Sequence, residues 1–374
     1  MRRKFVSTMV LFLVIGMLAS TFRAVSAEVD NAIHIRSDGL VYPPSTNITS
    51  SDNVTYTLTA DVYSTVSVER DNIIFDGMDH VIQGSSAYGT DGITLNERTN
   101  VTIKNTQIAE FWQGIYILAS SNINLTHNRV TDHYEGITLV SSSNNTITEN
   151  TVASNYDDAI YLERCSSNTI SGNQILGSEV TNHDYGITLH DSTANTASAN
   201  NISNIEFGIG IQNSSNNKIK GNTISTTNQY ALWLSSATSN TLLENNVTNN
   251  GVGVWLSDSS NNIFFHNNFI NNNLQVQAGS TVNLWNDTYP LGGNYWSDYH
   301  GTDSNKGQYQ SQTGSDGIGD TPYVINESNQ DHYPFVHIIP EYSSTIVIAL
   351  FMTATLLLAI ICRKQQRKLD NTEF

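Results

Sequence analysis

One four-residue phrase returns every 22 or 23 residues through the middle of this 374-residue chain, and it constrains the fold more than anything else in the sequence. It reads Gly92-Ile93-Thr94-Leu95, Gly114-Ile115-Tyr116-Ile117, Gly136-Ile137-Thr138-Leu139 and Ala159-Ile160-Tyr161-Leu162. It continues as Gly186-Ile187-Thr188-Leu189, Gly208-Ile209-Gly210-Ile211, Ala231-Leu232-Trp233-Leu234 and Gly253-Val254-Trp255-Leu256, in steps of 22, 22, 23, 27, 22, 23 and 22 residues. A fixed period in this range marks a solenoid, in which each unit buries its apolar face against its neighbours alone.

Within each phrase the apolar residues alternate, as Ile137 and Leu139 do around Thr138, which is the pattern of a strand with one buried face. A second apolar beat follows at Leu125, Ile147, Ile170, Ala197, Ile219, Leu242 and Phe264, and a third at Val130, Val152, Ile175, Ile202, Ile224, Val247 and Phe269. Three short strands per turn, with no amphipathic helix between them, specify an all-β parallel β-helix. Asn128, Asn150, Asn173, Asn200, Asn222, Asn245 and Asn267 fall in register, each three residues after the second beat. Stacked coils lie about 4.8 Å apart, so identical amides can bond up and down the stack. Asn also tolerates left-handed backbone at corners, and turn formation with stacking accounts for these residues without catalysis.

The two ends differ from the middle. Arg2, Arg3 and Lys4 precede an apolar run to Leu18, and Val25-Ser26-Ala27 offers a cleavage site, so residues 1–27 are expected to be a secretory signal peptide. Residues 346–362 form an uncharged apolar run of 17 residues, near the lower limit for a transmembrane helix. The basic residues that follow place the tail, 363–374, in the cytoplasm. Between the ends the expectation is a cap region over 28–71, the β-helix over 72–283, and a closing segment rich in Trp, Tyr and Asp over 284–337. Without signal, anchor and tail, 9 Lys+Arg face 32 Asp+Glu, a net charge of −23. Such a charge opposes nucleic-acid binding and suits solubility and divalent cations. Cys165 has no second cysteine in the outer part to pair with. Several Asn-x-Ser/Thr sequences, Asn47, Asn100 and Asn246 among them, mark potential glycosylation sites.

After the last regular coil come Gly292-Gly293-Asn294-Tyr295-Trp296-Ser297-Asp298-Tyr299 and Asp316-Gly317-Ile318-Gly319-Asp320-Thr321-Pro322-Tyr323. Joined to repeats such as Ser142-Ser143-Asn144-Asn145-Thr146-Ile147, this run resembles the NosD-like family of right-handed parallel β-helix proteins over roughly residues 70–336. The resemblance implies a right-handed, single-stranded helix and a place outside the cytoplasm. Some members are periplasmic and serve copper-site maturation of nitrous oxide reductase; others look like secreted or membrane-tethered surface proteins of archaeal type. Copper is thus implied by the family alone, because the ten His are scattered and no Met cluster exists. His133 and His183 share a column but lie two coils apart, roughly 10 Å by strand spacing.

Three constellations could carry function. Glu135, Asp157, Asp158, Asp184 and Glu206 sit just before the repeat's Gly or Ala on consecutive coils, where carboxylates could serve as acid and base on a sugar or bind Ca²⁺. Ordinary polar corners are the alternative, and no Arg-x-Lys clamp accompanies Asp157-Asp158; Lys218 and Lys220 belong to another strand. Tyr116, Tyr161, Trp233 and Trp255 occupy the outward position of the first strand, with Thr94, Thr138, Thr188 and Gly210 between them. Flat aromatic faces there suit sugar rings, unless the C-terminal segment folds back over them. Asp298, Asp303, Asp316, Asp320 and Asp331 are hard oxygen donors at loop spacings, which suit either Ca²⁺ or simple turns. The sequence therefore points to a membrane-anchored surface protein whose β-helix lies outside and binds glycans or other envelope proteins without catalysis. A lyase, hydrolase or epimerase acting on acidic polysaccharides is the alternative, and an accessory role in metal-enzyme maturation is a third.

Overall fold

The computed structural model describes residues 32–44, 47–178 and 184–340. The expected signal peptide, transmembrane run and tail, together with His183, lie outside the described residues. Among the described residues no helix is long and apolar enough to cross a membrane.

The chain winds as a right-handed parallel β-solenoid of about 10 turns, roughly 22 residues per coil, with one sheet on each of three sides. The first sheet holds 12 strands, the second 11 and the third 10. Each of the eight regular coils contributes a six-residue strand such as Glu135–Val140 to the first sheet. Three-residue strands such as Thr146–Thr148 and Thr151–Ala153 go to the second and third. Pairing repeats with the sequence period: Ile115 lies beside Ile137, Leu125 beside Ile147, and Val130 beside Val152. All three apolar beats meet in one core, where Ile137, Leu139, Ile147 and Val152 are fully buried. Sheet stacking reaches back into the stretch assigned to the cap, since Ile33–Ile35 pairs in parallel with Val66–Val68. Two antiparallel pairs, Ile33–Ile35 with Val41–Tyr42 and Ile48–Thr49 with Thr55–Leu58, close that end.

The asparagine column is a continuous ladder. In each coil the amide Nδ2 donates to the next Asn Oδ1 and to a backbone carbonyl of the preceding coil; Asn200, for example, donates to Asn222 Oδ1 at 2.9 Å and to Ile170 O at 3.0 Å. These side chains point inward and are almost wholly buried, so they are not the left-handed residues. That backbone falls one position earlier, at His127, Glu149, Ala199 and Glu244, with φ between 52° and 56°. Non-glycine residues hold it, at about 1–2 kcal/mol each, because the ladder fixes the amide that follows. A second ladder runs through Asn145, Asn168, Asn195, Asn217, Asn240, Asn262 and Asn283. A third passes through Ser120, Ser142, Cys165, Ser192 and Ser214, with each side chain accepting the backbone N–H of the coil before. Cys165 is therefore a ladder rung.

The repeat's glycine permits close stacking of the first sheet. A Cβ on Gly208 would stand 2.3 Å from the Ala231 carbonyl oxygen, inside any tolerable contact. At the far end the chain folds back as a plug. Tyr295–Trp296 joins the third sheet beside Asn268–Ile270, Trp285 stacks on Phe264 at 4.3 Å, and Trp296 stacks on Phe269 at 4.5 Å. Both indoles are buried.

Candidate functional site

The outer face of the first sheet carries three columns of side chains along the solenoid axis, the trailing one running Asn96, Leu118, Val140, Glu163, His190, Gln212, Ser235. The leading column runs Asp91, Gln113, Glu135, Asp158, Tyr185, Phe207, Tyr230. The middle column runs Thr94, Tyr116, Thr138, Tyr161, Thr188, Gly210, Trp233, Trp255. The middle column was expected to face solvent throughout, but Thr138 and Thr188 are only 2% exposed. Their hydroxyls turn to the leading column instead: Thr138 donates to Glu135 Oε2 at 2.7 Å and Thr188 donates to Asp158 Oδ1. Tyr161, between them along the sheet, is the larger side chain and stays half-buried.

A pocket of about 210 Å³ opens here, lined by Asp158, Tyr161, Tyr185, Thr188, His190 and Gln212. Asp158 is nearly enclosed, and burial pushes its carboxyl well above the usual carboxylate range. The charge of neighbouring Asp157 reinforces the shift against the Thr188 hydrogen bond, and Glu135 adds to it. The Tyr161 hydroxyl lies 3.2 Å from His190 Nδ1, with the two rings stacked at 6.4 Å. Burial raises the Tyr161 phenol and pushes that of Tyr185 up to about 12, with Asp158 contributing to both. The pocket therefore presents a buried carboxyl, two phenols and an imidazole. One coil away Glu135 is half-buried and accepts hydrogen bonds from Gln113 Nε2 and Thr138 Oγ1, both at 2.7 Å.

The five carboxylates named from the sequence separate into two groups. Glu135, Asp157 and Asp158 gather at adjacent coils, with Asp157 hydrogen-bonded to the Tyr134 phenol, which burial and Asp157 push up to about 12. Asp184 is instead built into a corner, where it accepts the Glu206 N–H at 2.9 Å and the Ser178 N–H at 3.2 Å. Glu206 accepts the Gln229 amide at 2.5 Å.

Aromatic rings flank the pocket on both sides along the axis. Toward the N-terminus Tyr88 meets Trp112 edge-on at 4.5 Å, and Trp112, Tyr134 and Tyr156 stack coil on coil with centroids 4.0 and 5.5 Å apart. Toward the C-terminus Tyr185 stacks on Phe207 at 4.5 Å, Tyr230 on Trp255 at 5.3 Å, and Trp233 meets Trp255 at 6.1 Å. Trp233 and Trp255 remain partly exposed, and their ring neighbours belong to their own sheet. The plug's Trp285 and Trp296 seal the end of the core. Tyr116 is half-buried in the middle column. The first track escapes a reading of the sequence columns centred on acids; its signal was Trp112 and Tyr134, each two residues before the repeat's Gly.

The C-terminal acids do not converge. Asp303 accepts the Asp316 and Gly317 N–H groups at 3.1 and 2.8 Å, and Asp320 accepts those of Ser304 and Asn305 at 3.0 and 2.9 Å. Burial opposes ionisation at both, but these bonds win and hold both carboxyls below their usual range. Asp316 accepts the Gly307 N–H at 3.1 Å, and Asp298 accepts the Tyr323 hydroxyl at 3.1 Å. Asp331 lies buried in the plug, accepting the Asn294 N–H at 2.7 Å, the Trp296 indole N–H at 2.9 Å and the Tyr333 N–H at 3.0 Å. Burial pushes its carboxyl up to about 7 against those bonds. Among the described residues no three His, Cys, Asp or Glu side chains are grouped to hold a metal ion.

Residues 175–301 match the family model described as periplasmic copper-binding protein (NosD), and residues 31–194 match that of the right handed beta helix region. Together these two matches support a NosD-like family of right-handed parallel β-helix proteins. No curated protein matches this NosD-like chain. Among solved structures it is similar to two mutant forms of the periplasmic alginate epimerase AlgG. One is 18% identical with a TM-score of 0.50, covering 62% of this chain and 64% of the epimerase; the other is 15% identical with a TM-score of 0.52, covering 69% and 82%. The chain thus spans less than two thirds of the first of these. A hyperthermoactive exopolygalacturonase from Thermotoga maritima also matches, at 10% identity and a TM-score of 0.41 over 67% of this chain and 74% of that one. The likeness to the AlgG structures is one of fold alone.

The family's description names copper, and the described residues do not fit it. His133 is buried, with Nδ1 3.0 Å from the Phe111 amide nitrogen and Nε2 3.0 Å from the Ile108 carbonyl, and burial lowers its pKa to about 4. Cys165 is held in the serine ladder with its thiol pushed up to about 11 by burial. Among the described residues no three His, Cys, Asp or Glu side chains are grouped and Met78 is the only methionine, so no convergent set of the kind copper favours is present there.

Proposed function

We propose that the outer face of the first sheet binds a linear glycan laid along the solenoid axis. The observation that carries this reading is the pair of aromatic tracks on either side of one polar pocket, one at the turns leading into the first sheet and one on the sheet itself. Rings spaced by the coil repeat offer successive platforms to successive sugars, and Asp158, Tyr161, His190 and Gln212 offer hydrogen bonds between them. The name of AlgG, whose fold this chain shares in part, points to a polysaccharide substrate, which lends the reading support. The family's periplasmic description supports action outside the cytoplasm, with residues 1–27 as export signal, 346–362 as tether and envelope glycans as ligands. Replacing Trp233 and Trp255 by Ala should weaken oligosaccharide binding at least tenfold, measured by titration calorimetry, with the circular dichroism spectrum unchanged. Unaltered affinity would refute the aromatic platform.

A second reading, chemistry on the bound chain, has one observation in its favour. Asp158, its carboxyl pushed upward by burial, sits one coil from the half-buried Glu135, on strands about 5 Å apart. Two carboxyls of differing environment on adjacent coils suit a glycosidase, with Asp158 as proton donor and Glu135 as nucleophile. Release of reducing ends from oligosaccharides by the intact protein, lost in both Asp158→Asn and Glu135→Gln, would establish it. Absence of turnover on any bound glycan would leave binding as the function.

A further inference from the structure

The chemistry of this face also bears on which glycans it accepts. The eight six-residue strands from Asp91–Asn96 to Val252–Ser257 contain Asp91, Glu135, Asp158 and Glu163, one His and no Lys or Arg. The turns leading into them add Glu110, Asp132, Asp157, Asp184 and Glu206, again without a described Lys or Arg. Basic residues occur at the trailing corner, where both are engaged. The Arg98 guanidinium lies 3.3 Å from Asp71 and donates to the Glu69 and Asn96 carbonyls, and Arg164 lies 2.8 Å from Glu163. Lys104, Lys218 and Lys220 sit on the second sheet and Arg129 on the third.

Resting on the reading that this face binds a glycan, we infer that its ligand is a polymer of neutral or amino sugars, free of carboxylate, sulfate and phosphate groups. An acidic chain laid over these coils would bring like charges together with no cation to receive them. Juxtaposed like charges at an interface cost several kcal/mol and suppress the wrong partner. Recognition of a uronate needs a guanidinium fork or an ammonium beside the sugar, and the face supplies neither. Neutral hydroxyls, by contrast, find the Asp158 carboxyl, the Tyr161 phenol, His190 and the Gln212 amide in one pocket. An ammonium group would find Glu135 and Asp157 beside the Tyr134 ring, where carboxylate and aromatic face both attract a cation.

The test is affinity of the full-length protein in detergent for three hexasaccharides, cellohexaose, a glucosamine hexamer and an oligogalacturonate. It is run with EDTA at low and physiological salt. At least one of the first two should bind ten times or more tighter than the oligogalacturonate, with the ratio shrinking as salt rises. Glu163→Gln, checked by thermal melting, should raise oligogalacturonate affinity severalfold and leave cellohexaose within twofold. Oligogalacturonate binding as tightly as the others in EDTA, or failing to respond to that variant, overturns the inference. Failure of all three sugars to bind overturns the glycan reading on which it rests.

Discussion

Removing one rung of the buried asparagine ladder should destabilise the protein out of proportion to the atoms lost. In Asn200→Ala four side-chain hydrogen bonds disappear: Oδ1 accepts the Asn173 N–H and its Nδ2, both at 3.0 Å, and Nδ2 donates to Ile170 O and Asn222 Oδ1. Two of the former partners keep other bonds, since Asn173 Nδ2 still reaches Ile147 O and Asn222 Oδ1 still accepts the Asn200 N–H. The Asn173 N–H, however, loses its acceptor inside the solenoid, and an orphaned buried donor costs about 1–3 kcal/mol. With the other lost bonds and the small void, the expected loss is about 3–5 kcal/mol, a large share of the about 5–15 kcal/mol that holds a typical domain folded. Guanidinium unfolding followed by circular dichroism measures it, with Asn201→Ala as control. Asn201 is adjacent and exposed, and its loss should cost no more than about 0.5 kcal/mol. Equal midpoints for the two variants would show that the ladder is geometry without energetic weight.

Ala237→Ser should stabilise by about 1 kcal/mol, because Ala237 interrupts the serine ladder and its methyl offers no acceptor to the Ser214 N–H; a lowered denaturation midpoint would count against that. Gly208→Ala should destabilise by about 1–3 kcal/mol, since its Cβ would press on the Ala231 carbonyl in a sheet with no slack, and an unchanged melting temperature refutes it. The Asp331 carboxyl, raised from 3.8 to about 7 by burial, binds its proton more tightly folded than unfolded. Its stabilisation is therefore complete below about pH 4 and declines as pH rises to about 7. Hydrogen exchange of the plug amides should accelerate over that window beyond the intrinsic base-catalysed trend, and no excess would refute the assignment.

The architecture was legible because a solenoid repeats its packing problem, so Ile137, Ile147 and Val152 announce three sheets by period alone. Exposure along the outer face was not legible, because it depends on neighbours in other coils. Thr138 and Thr188 share a column with Trp233, yet they are shut in by hydrogen bonds to the leading column. The carboxylates before the glycines looked equivalent by spacing, but a backbone amide claims Asp184 while Asp158 faces a pocket. Among the C-terminal acids, Asp331 read as one more loop oxygen, although its partners Asn294 and Trp296 lie more than thirty positions away. Contacts of that range have no period to betray them.

The plug has a consequence for how long such a protein can be. Every coil presents to the next the same unpaired strand edges, the same waiting amides and the same apolar disc, so nothing inside the repeat says where to stop. What stops it is counterfeit: Asn294 and Asn283 take the next rung of two ladders, and Trp285 and Trp296 fill the disc where another coil's core residues would lie. From these residues the chain turns away, and the plug offers no equivalent template for a further coil. In polymer terms the segment is a chain terminator for a one-dimensional crystal, and a molecule deprived of it would keep a live growth face for another copy of itself.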